Sequence, residues 1–230
     1  MSEERYLRNM TMLSPAENER LKEFKVCVVG CGGLGGYNIE MLGRLGIGSI
    51  TAVDGDVFEA TNLNRQLLAQ TATLGQSKAL AAQKRMEQVN PLIHVEAVQA
   101  RLTAANGRQI LQGHDLIIDA LDNLSSRFLL QDLAEELSLP LVHGAVAGWY
   151  GKVTTIFPGD KTLDRLYRRE PRQGLEQTMG TPSFTPALVA AIQVSEAVKV
   201  LLAKGQPLRN QLLYIDLHSN LFQIVSLNQD

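Results

Sequence analysis

Residues 26–36 read VCVVGCGGLGG, an apolar strand that runs directly into a glycine-rich turn. Gly30, Gly32 and Gly35 match the pattern G-x-G-x-x-G, and the apolar residues within 34–45 predict a helix after the turn. Strand, glycine turn and helix in this order make half of a Rossmann unit, whose backbone N–H groups and helix dipole bind anionic oxygen. NAD, FAD, S-adenosylmethionine and ATP are all bound in this way. The turn therefore predicts a nucleotide site without naming the nucleotide.

The segments around this turn alternate between strands and helices. Strands are predicted at 25–29, 49–53, 93–98, 115–119 and 140–143, and helices at 34–45, 77–89, 103–111 and 125–137. Such βαβ alternation predicts the α/β class: a Rossmann-like, mostly parallel sheet with helices on both faces.

The two ends of the chain depart from this rhythm. The sequence SPAE at 14–17 is a capping box that predicts a helix through about Phe24, so residues 1–24 are expected to form an N-terminal helical arm. After Gly144, strands are predicted at 150–157, 211–216 and 221–227, an apolar helix at 187–202, and mostly irregular chain at 158–184. This order predicts a C-terminal antiparallel extension packed on the nucleotide-binding part, residues 25–145.

Composition favours a single cytoplasmic domain over residues 1–230. With 22 Lys and Arg against 24 Asp and Glu, the net charge of −2 provides no strong field toward nucleic acid or an anionic membrane, and we expect neither as a partner. Two cysteines are too few for a disulfide framework and suggest a reducing compartment. Residues 1–30 are too charged for a secretory signal, and we expect no apolar run to span a bilayer.

The charged residues after the second strand help to choose between the nucleotides. Asp54 lies 24 residues after Gly30, where a ribose-binding carboxylate belongs. A hydride-transfer site needs few cations beyond the glycine turn, whereas a triphosphate needs several to offset its charge. Arginine and lysine are the residue types that contact phosphate. The candidate cations are Arg65, Lys78, Arg5 and Arg8.

A second segment, DLIIDALDN at 115–123, also places acidic residues at the end of a predicted strand. The predicted strand delivers Asp119 and Asp122 to its carboxyl end, where open α/β sheets bind ligands. Mg²⁺ prefers such oxygen ligands. Asp119 is equally consistent with a strand-end residue that orders the following loop, while the position of Asp122 before a helix start favours a functional role.

Six sequence blocks, in order along the chain, resemble those of the ThiF/MoeB/HesA family, the bacterial relatives of ubiquitin-activating enzymes. The blocks are RYLRN at 5–9, GCGGLG at 30–35, DGDVFEATNLNRQ at 54–66, GQSK at 75–78, DALDN at 119–123 and IQVSEAVK at 192–199. The resemblance implies a homodimeric adenylyltransferase that binds ATP and Mg²⁺. Its partner would be a ubiquitin-like sulfur carrier protein of the ThiS or MoaD type, whose C-terminal Gly-Gly it adenylates with release of pyrophosphate.

The resemblance also implies roles for individual residues. The residues expected at the nucleotide are Gly30, Gly32, Gly33, Gly35, Asp54, Asp56, Asn62, Arg65, Gln66 and Lys78. Those expected to act in catalysis are Arg8, Arg65, Lys78 and Asp122. Asp122 would hold Mg²⁺, and Arg8 would cross into the site of the neighbouring subunit. Residues 146–230 would form the carrier-binding and dimer part. Independently of the resemblance, the loop at 158–184 is longer than packing requires, so we expect it to cover the carrier tail, with a solvated face of mixed charge as the alternative.

The chain also departs from the family. Many relatives carry two CxxC pairs that bind structural zinc, and this chain has none, so we expect no zinc site. The segment 171–187 has no cysteine that could bond to a carrier. Cys31 is most simply a small residue that fits a crowded turn. The four histidines, which show no metal spacing and are expected to be structural, are His94, His114, His143 and His218.

Three other functions remain open at this point. A NAD-dependent Rossmann oxidoreductase would explain G-x-G-x-x-G and Asp54 but leaves Arg65, Lys78 and Asp122 without a shared purpose. A family member that adenylates a tRNA-linked carboxylate would need a basic stripe that the balanced charge does not suggest. A non-catalytic relic should have lost site residues that are present here.

Overall fold

The computed structural model describes residues 4–167, 169 and 179–227, and within them eight strands form one sheet in the order β3-β2-β1-β4-β5-β6-β7-β8. The strands are β1 Lys25–Val29, β2 Ser49–Val53, β3 His94–Val98, β4 Leu116–Asp119, β5 Leu141–Ala147, β6 Tyr150–Ile156, β7 Gln211–Asp216 and β8 Leu221–Ser226. Strands β1 to β5 pair in parallel, and β6, β7 and β8 continue the sheet antiparallel from β5. The predicted Rossmann-like sheet with an antiparallel extension is confirmed.

Helices cover both faces of the sheet. They are α1 Pro15–Leu21, α2 Gly35–Leu45, α3 Lys78–Val89, α4 Gly107–Leu111, α5 Leu124–Glu136, α6 Thr162–Leu166 and α7 Phe184–Leu202. In β1, Val26 and Val28 pack into one apolar cluster with α2, α3 and α7, while Cys27 and Val29 pack into a second with α4, α5 and α6. Alternate residues of a buried strand thus serve two cores, which is why all four residues of β1 after the exposed Lys25 are apolar.

Several boundaries differ from the predicted ones, each for a local reason. The capping box is present, but α1 ends at Leu21 because a turn follows before β1 begins. The helix predicted from residue 103 starts only at Gly107, because Asn106 Oδ1 accepts the N–H of Thr103 at 2.8 Å and holds a turn there. The stretch predicted as irregular contains the short helix α6. Residues 168 and 170–178 of the expected loop at 158–184 lie outside the described residues.

Helix α7 is longer than predicted and bears on the expectation that no segment spans a bilayer. With 19 residues and a hydropathy of 1.4 it is long and apolar enough to cross one by length and composition, so that expectation was too strong. However, 56% of the 18-residue apolar stretch of this helix that gives this hydropathy is buried inside the protein. Gln193 Nε2 donates to the carbonyl of Asp119 at 2.8 Å, and Glu196 Oε2 accepts from Thr155 Oγ1 at 2.6 Å. These contacts make α7 a core helix that ties the extension to the end of β4.

The N-terminal arm is anchored to the body by the buried Tyr6 and by Arg5, whose Nη1 donates to the carbonyl of Val89 at 3.1 Å. A 3-10 helix spans Glu4–Asn9, and its buried Tyr6 accepts a 2.8 Å hydrogen bond from Asn90 Nδ2. The Tyr6 ring lies so close to Gly46 that a Cβ there would sit 2.8 Å from it. Neighbouring Arg8 remains exposed.

Candidate active site

A cavity of about 760 Å³ opens at the carboxyl ends of β1 to β4. The predicted site residues that line it are Gly30, Gly32, Gly33, Asp54, Asp56, Arg65, Gln66, Lys78 and Asp122. Four residues predicted at the nucleotide or its phosphates are not part of its lining: Arg5, Arg8, Gly35 and Asn62. Arg5 instead donates from Nη1 to the carbonyl of Val89 at 3.1 Å, at the end of α3. The sheet edge that receives ligands in open α/β folds therefore carries most of the predicted set.

The glycine turn is shaped by close backbone contacts. Gly30 has φ +98° and donates its N–H to the carbonyl of Val53 at 2.8 Å. A Cβ at Gly30 would lie 2.5 Å from the carbonyl oxygen of Ala120, and one at Gly35 only 1.7 Å from the oxygen of Gly30. Gly35 thus allows the turn to form, while the other glycines present backbone to the cavity.

Asp54 fixes the turn to the end of β2. Its Oδ2 accepts the N–H of Cys31 at 2.7 Å, and its Oδ1 accepts the N–H of Asp56 at 2.8 Å. Burial raises the pKa of Asp54 above its usual value, against the opposing effect of these two donors and of Lys78. Each carboxylate oxygen has a second lone pair, so the group can still accept from a ribose hydroxyl.

Lys78 and Arg65 reach the cavity from two different segments. Lys78 is the first residue of α3, and its nearly buried Nζ lies 3.7 Å from Asp56 Oδ2. Arg65 is half-buried and donates from Nη1 to the carbonyl of Thr61 and to Asn64 Oδ1, both at 2.9 Å. Among the described residues, Arg65 is bound only by exposed oxygens of its own turn, whereas Lys78 has Asp56 as an ion-pair partner inside the cavity.

Gln66 supplies a direct indication of a polar ligand. Its side chain is buried beside Gly32, and its Oε1 has no hydrogen-bond partner among the described residues. An unpaired buried amide atom is costly unless something binds it. A nucleotide, rich in polar atoms, fits this wall better than an apolar ligand would.

Asn62 stabilises the turn that carries Arg65 and Gln66 and does not itself line the cavity. Its Oδ1 accepts the N–H of Glu59 at 3.1 Å, and its carbonyl accepts the N–H groups of Arg65 and Gln66. The structure therefore places Asn62 in the turn that presents these two residues. No contact of its side chain with the cavity is found within the described part of the chain.

The two aspartates after β4 have different environments. Asp119 is fully buried, with Oδ2 2.6 Å from His143 Nδ1 and Oδ1 accepting the N–H of Leu121 at 3.0 Å, so it orders the loop. Burial lowers the pKa of His143, which agrees with a structural role. Asp122 is exposed, lines the cavity and accepts at Oδ1 from Asn123 Nδ2 at 3.3 Å.

The carboxylate oxygens at the cavity suit Mg²⁺ better than a metal ion whose ligands would all be protein side chains. No group of three or more His, Cys, Asp or Glu side chains that could hold a metal occurs in the part of the chain that the structure describes. Mg²⁺ commonly keeps several waters and binds through one or two carboxylates together with substrate phosphates. Asp122 at the cavity wall fits that pattern.

Two arginines of the site were missed by sequence reasoning. Arg101, in the loop after β3, donates from Nη2 to Asp56 Oδ1 at 2.9 Å. Arg127, one turn into α5, is buried and donates from Nη2 to the carbonyl of Leu121 at 2.7 Å. Both line the cavity. A lone arginine in a loop or a helix has no spacing that identifies it.

These arginines change the charge of the cavity. Among the described residues its charged lining is Arg65, Lys78, Arg101, Arg127, Asp54, Asp56 and Asp122, an excess of one positive charge. The whole chain, by contrast, has a net charge of −2. Arg127 Nε lies 4.0 Å from Oδ2 of the buried Asp119, and Arg101 pairs with Asp56, so Arg65 and Lys78 are the cations of the lining best placed to meet an anionic ligand.

The thiols take no part in this surface. Cys27 and Cys31 are both fully buried. Burial raises the pKa of both thiols well above the usual range, so they stay protonated. The interpretation of Cys31 as a residue that fills space agrees with this geometry.

Comparison with known proteins gives relatives along nearly the whole chain. A sulfur carrier protein adenylyltransferase of Thermus thermophilus is 39% identical over 226 residues, which cover 93% of this chain and 83% of that protein. The SAMP-activating enzyme E1 of Haloferax volcanii is 36% identical over 227 residues, covering 96% and 84%. The adenylyltransferase/sulfurtransferase MoeZ of Mycobacterium tuberculosis, described as probable, is 31% identical over 237 residues, covering 98% and 60%.

Solved structures share the fold at low sequence identity. Escherichia coli MccB in a crystal structure with ATP superposes with a TM-score of 0.83 at 20% identity, over 98% of this chain and 71% of that one. PaaA superposes with a TM-score of 0.80 at 20% identity, over 99% and 83%. The sequence model of the ThiF family matches residues 6–230. The chain therefore belongs to the ThiF family.

Proposed function

We propose that this chain is an ATP-dependent adenylyltransferase that activates a ubiquitin-like sulfur carrier protein. The substrate group is the C-terminal glycine carboxylate of a carrier that ends in Gly-Gly, and the products are the acyl adenylate and pyrophosphate. Relatives named sulfur carrier protein adenylyltransferase and SAMP-activating enzyme E1 support this assignment. The observation that carries it is the cavity in which the glycine turn, Asp54, Arg65, Lys78 and Asp122 meet.

The chemistry requires binding and alignment more than proton transfer. A peptide α-carboxyl has a pKa of about 3.5, so at neutral pH the nucleophile is already ionised and needs no general base. Its oxygen forms a bond to the α-phosphorus of ATP while the bond to the bridging oxygen of pyrophosphate breaks. The work of the protein is to hold the two reactants together and to stabilise the charge that spreads over the phosphoryl oxygens.

The residues at the cavity divide this work. The glycine turn would offer backbone N–H groups to phosphate, and Asp54 would accept from the ribose. Arg65 and Lys78 would offset phosphate charge, and the unpaired Oε1 of Gln66 would accept a hydrogen bond from the nucleotide. Asp122 would hold Mg²⁺, whose charge offsets that of the phosphates when the ion is bound.

We extend the proposal to a cytoplasmic homodimer in which Arg8 acts on the neighbouring site. Tyr6 holds the arm on its own body, and Arg8 is exposed and absent from the cavity lining of its own chain. Leu7, next to Arg8, and Met12, further along the same arm, are each 58% exposed, which suits an arm that meets a second surface. In this assignment, residues 146–230 contribute the carrier-binding and dimer part.

The test is ATP–pyrophosphate exchange with candidate carriers ending in Gly-Gly. We expect exchange that depends on the carrier and falls roughly hundredfold or more in Arg65→Ala and in Asp122→Ala, because each removes a group that stabilises developing charge. The matched control is Arg108→Ala, since Arg108 pairs with Glu136 on the surface away from the cavity.

Two results would contradict the proposal. One is exchange that proceeds without any carrier or survives both cavity substitutions. The other is a titration in which the protein binds NADH and not ATP, which would favour the oxidoreductase.

A further inference from the structure

One carboxylate at the cavity is shared by two cations of different exposure. Asp56 Oδ1 accepts from Arg101 Nη2 at 2.9 Å, and Asp56 Oδ2 lies 3.7 Å from Lys78 Nζ. The Lys78 side chain is 10% exposed, whereas that of Arg101 is 80% exposed. A nearly buried ammonium and a solvated guanidinium therefore compete for the same anion.

Backbone contacts hold this group in place. The N–H of Asp56 donates to Asp54 Oδ1 at 2.8 Å, and the carbonyl of Asp56 accepts the N–H of Lys78 at 3.1 Å. Arg101 packs against the bare Cα of Gly55, where a Cβ would lie 2.5 Å from Arg101 Cγ. The hydrogen bond to Asp56 also raises the pKa of Arg101 and keeps its charge fixed. The arrangement is thus built into the loops after β2 and β3.

The arrangement matters because Lys78 has two competing partners once a triphosphate is present. To contact phosphate, Lys78 must move away from Asp56. If Asp56 had no other cation beside it, its carboxylate would hold Lys78 more strongly. The shorter contact to Arg101 takes up much of the charge of Asp56. Sharing the carboxylate therefore lowers the hold of Asp56 on Lys78.

We propose that Arg101 is a positioning residue for ATP that acts through Asp56, neutralising this carboxylate so that Lys78 is available to the phosphates. The inference rests on the proposed use of ATP and goes beyond it, because it assigns a role to a residue that touches Lys78 only indirectly. Its signature is a dependence on Asp56. Removing Arg101 should matter while the carboxylate is present and should cease to matter once it is gone.

The experiment is a double-mutant cycle read by equilibrium binding rather than by activity. Dissociation constants for ATP and for adenosine are measured by calorimetry on the full chain as wild type, Arg101→Ala, Asp56→Asn and the double variant. We expect Arg101→Ala to weaken ATP binding roughly fivefold, the scale of a partly exposed ion pair, and to leave adenosine binding nearly unchanged. Asp56→Asn should tighten ATP binding, and in that background Arg101→Ala should have little further effect.

Two further variants guard the interpretation. Arg101→Lys keeps a cation near Asp56 and should restore much of the ATP affinity, whereas a purely structural role for the guanidinium would not allow this rescue. Arg108→Ala removes an exposed arginine paired with Glu136 elsewhere and should leave ATP binding unchanged. Melting temperatures of all variants confirm that they are folded.

The outcomes separate the inference from the proposed function. Equal loss of ATP and adenosine affinity in Arg101→Ala, or the same loss with and without Asp56, would overturn the inference and leave ATP use intact. A wild-type protein that binds no ATP would instead overturn the proposed function.

Discussion

A single carbon added at Gly35 would collide with the turn to which Gly35 belongs. The Cβ of an alanine would lie 1.7 Å from the Gly30 carbonyl oxygen, so the backbone must move. We expect Gly35→Ala to lower the free energy of unfolding by about 3 kcal/mol or more and to abolish nucleotide binding. Urea unfolding and ATP calorimetry measure the two effects.

The matched control for this substitution is Gly113→Ala. Gly113 has φ +81° with nothing within 4 Å of an added Cβ, so only backbone strain applies, on the order of 1 kcal/mol. If Gly35→Ala were no more destabilising than Gly113→Ala, the close packing of the turn would not have the importance assigned to it.

At the scale of residues, the sequence predicted those groups that stand at fixed distances from a motif. Gly30 and Asp54 belong to one βαβ unit, and Lys78 begins the next helix, so local patterns locate them at the cavity. Arg101 and Arg127 could not be found, because only the parallel pairing of the sheet brings the loop after β3 and the first turn of α5 beside the glycine turn. Whether each residue contacts ATP stays a prediction.

The element with the most clearly defined pH dependence is α1. Glu17 Oε2 accepts the N–H of Ser14 at 2.7 Å and pairs with Lys204 at 3.0 Å, and these contacts lower the pKa of Glu17 to about 2 from a usual 4.5. A carboxyl with a lowered pKa stabilises the folded state above its unfolded pKa. This contribution should be complete above about pH 4.5 and disappear as the pH falls toward 2.

Glu17→Gln tests this cap. At about pH 7 the variant should be less stable than wild type in urea unfolding, and the difference should shrink toward zero at about pH 2.5. The control is Glu19→Gln, which removes an exposed carboxylate of the same helix that pairs with Lys22. A difference for Glu17→Gln that is the same at both pH values would contradict the assignment.

Elements whose ends are set by local chemistry were predicted well. Strand β1 and strand β2 have the predicted bounds, because apolar runs end at a glycine or an aspartate. The start of α4 and the presence of α6 were not foreseen. Helix α4 starts late because the Asn106 side chain accepts the N–H of Thr103. Helix α6 docks on α5 in part because the Leu163 N–H donates to Gln131 Oε1 at 2.7 Å. The Thr103–Asn106 contact is local but polar, so apolar periodicity does not record it, and the Leu163–Gln131 contact is tertiary and leaves no trace in the sequence.

At the scale of the whole molecule, the proposal that Arg8 acts across a dimer can be tested with mixed dimers. One chain carries Arg8→Ala, the other carries Asp122→Ala, and two different tags allow the heterodimer to be purified. If Arg8 serves the neighbouring site, one site keeps both residues and the heterodimer should have about half of the wild-type exchange activity. Each parent homodimer should be inactive.

The reverse arrangement provides the control. A wild-type chain paired with a chain carrying both substitutions has no complete site if Arg8 acts across the interface, and it should be inactive. Half activity in this second heterodimer, and none in the first, would show that Arg8 acts within its own chain. A monomer in solution at working concentration would contradict the dimer itself.

The burial of both thiols has a consequence for the fate of the product. The only sulfur nucleophiles in these 230 residues are enclosed in β1 and in the glycine turn and stay protonated. In the proposed reaction, the acyl adenylate is a mixed anhydride, and neither of these buried thiols can attack it after it forms. If the proposal is right, the sulfur that reaches the carrier comes from a group other than the thiols of Cys27 and Cys31.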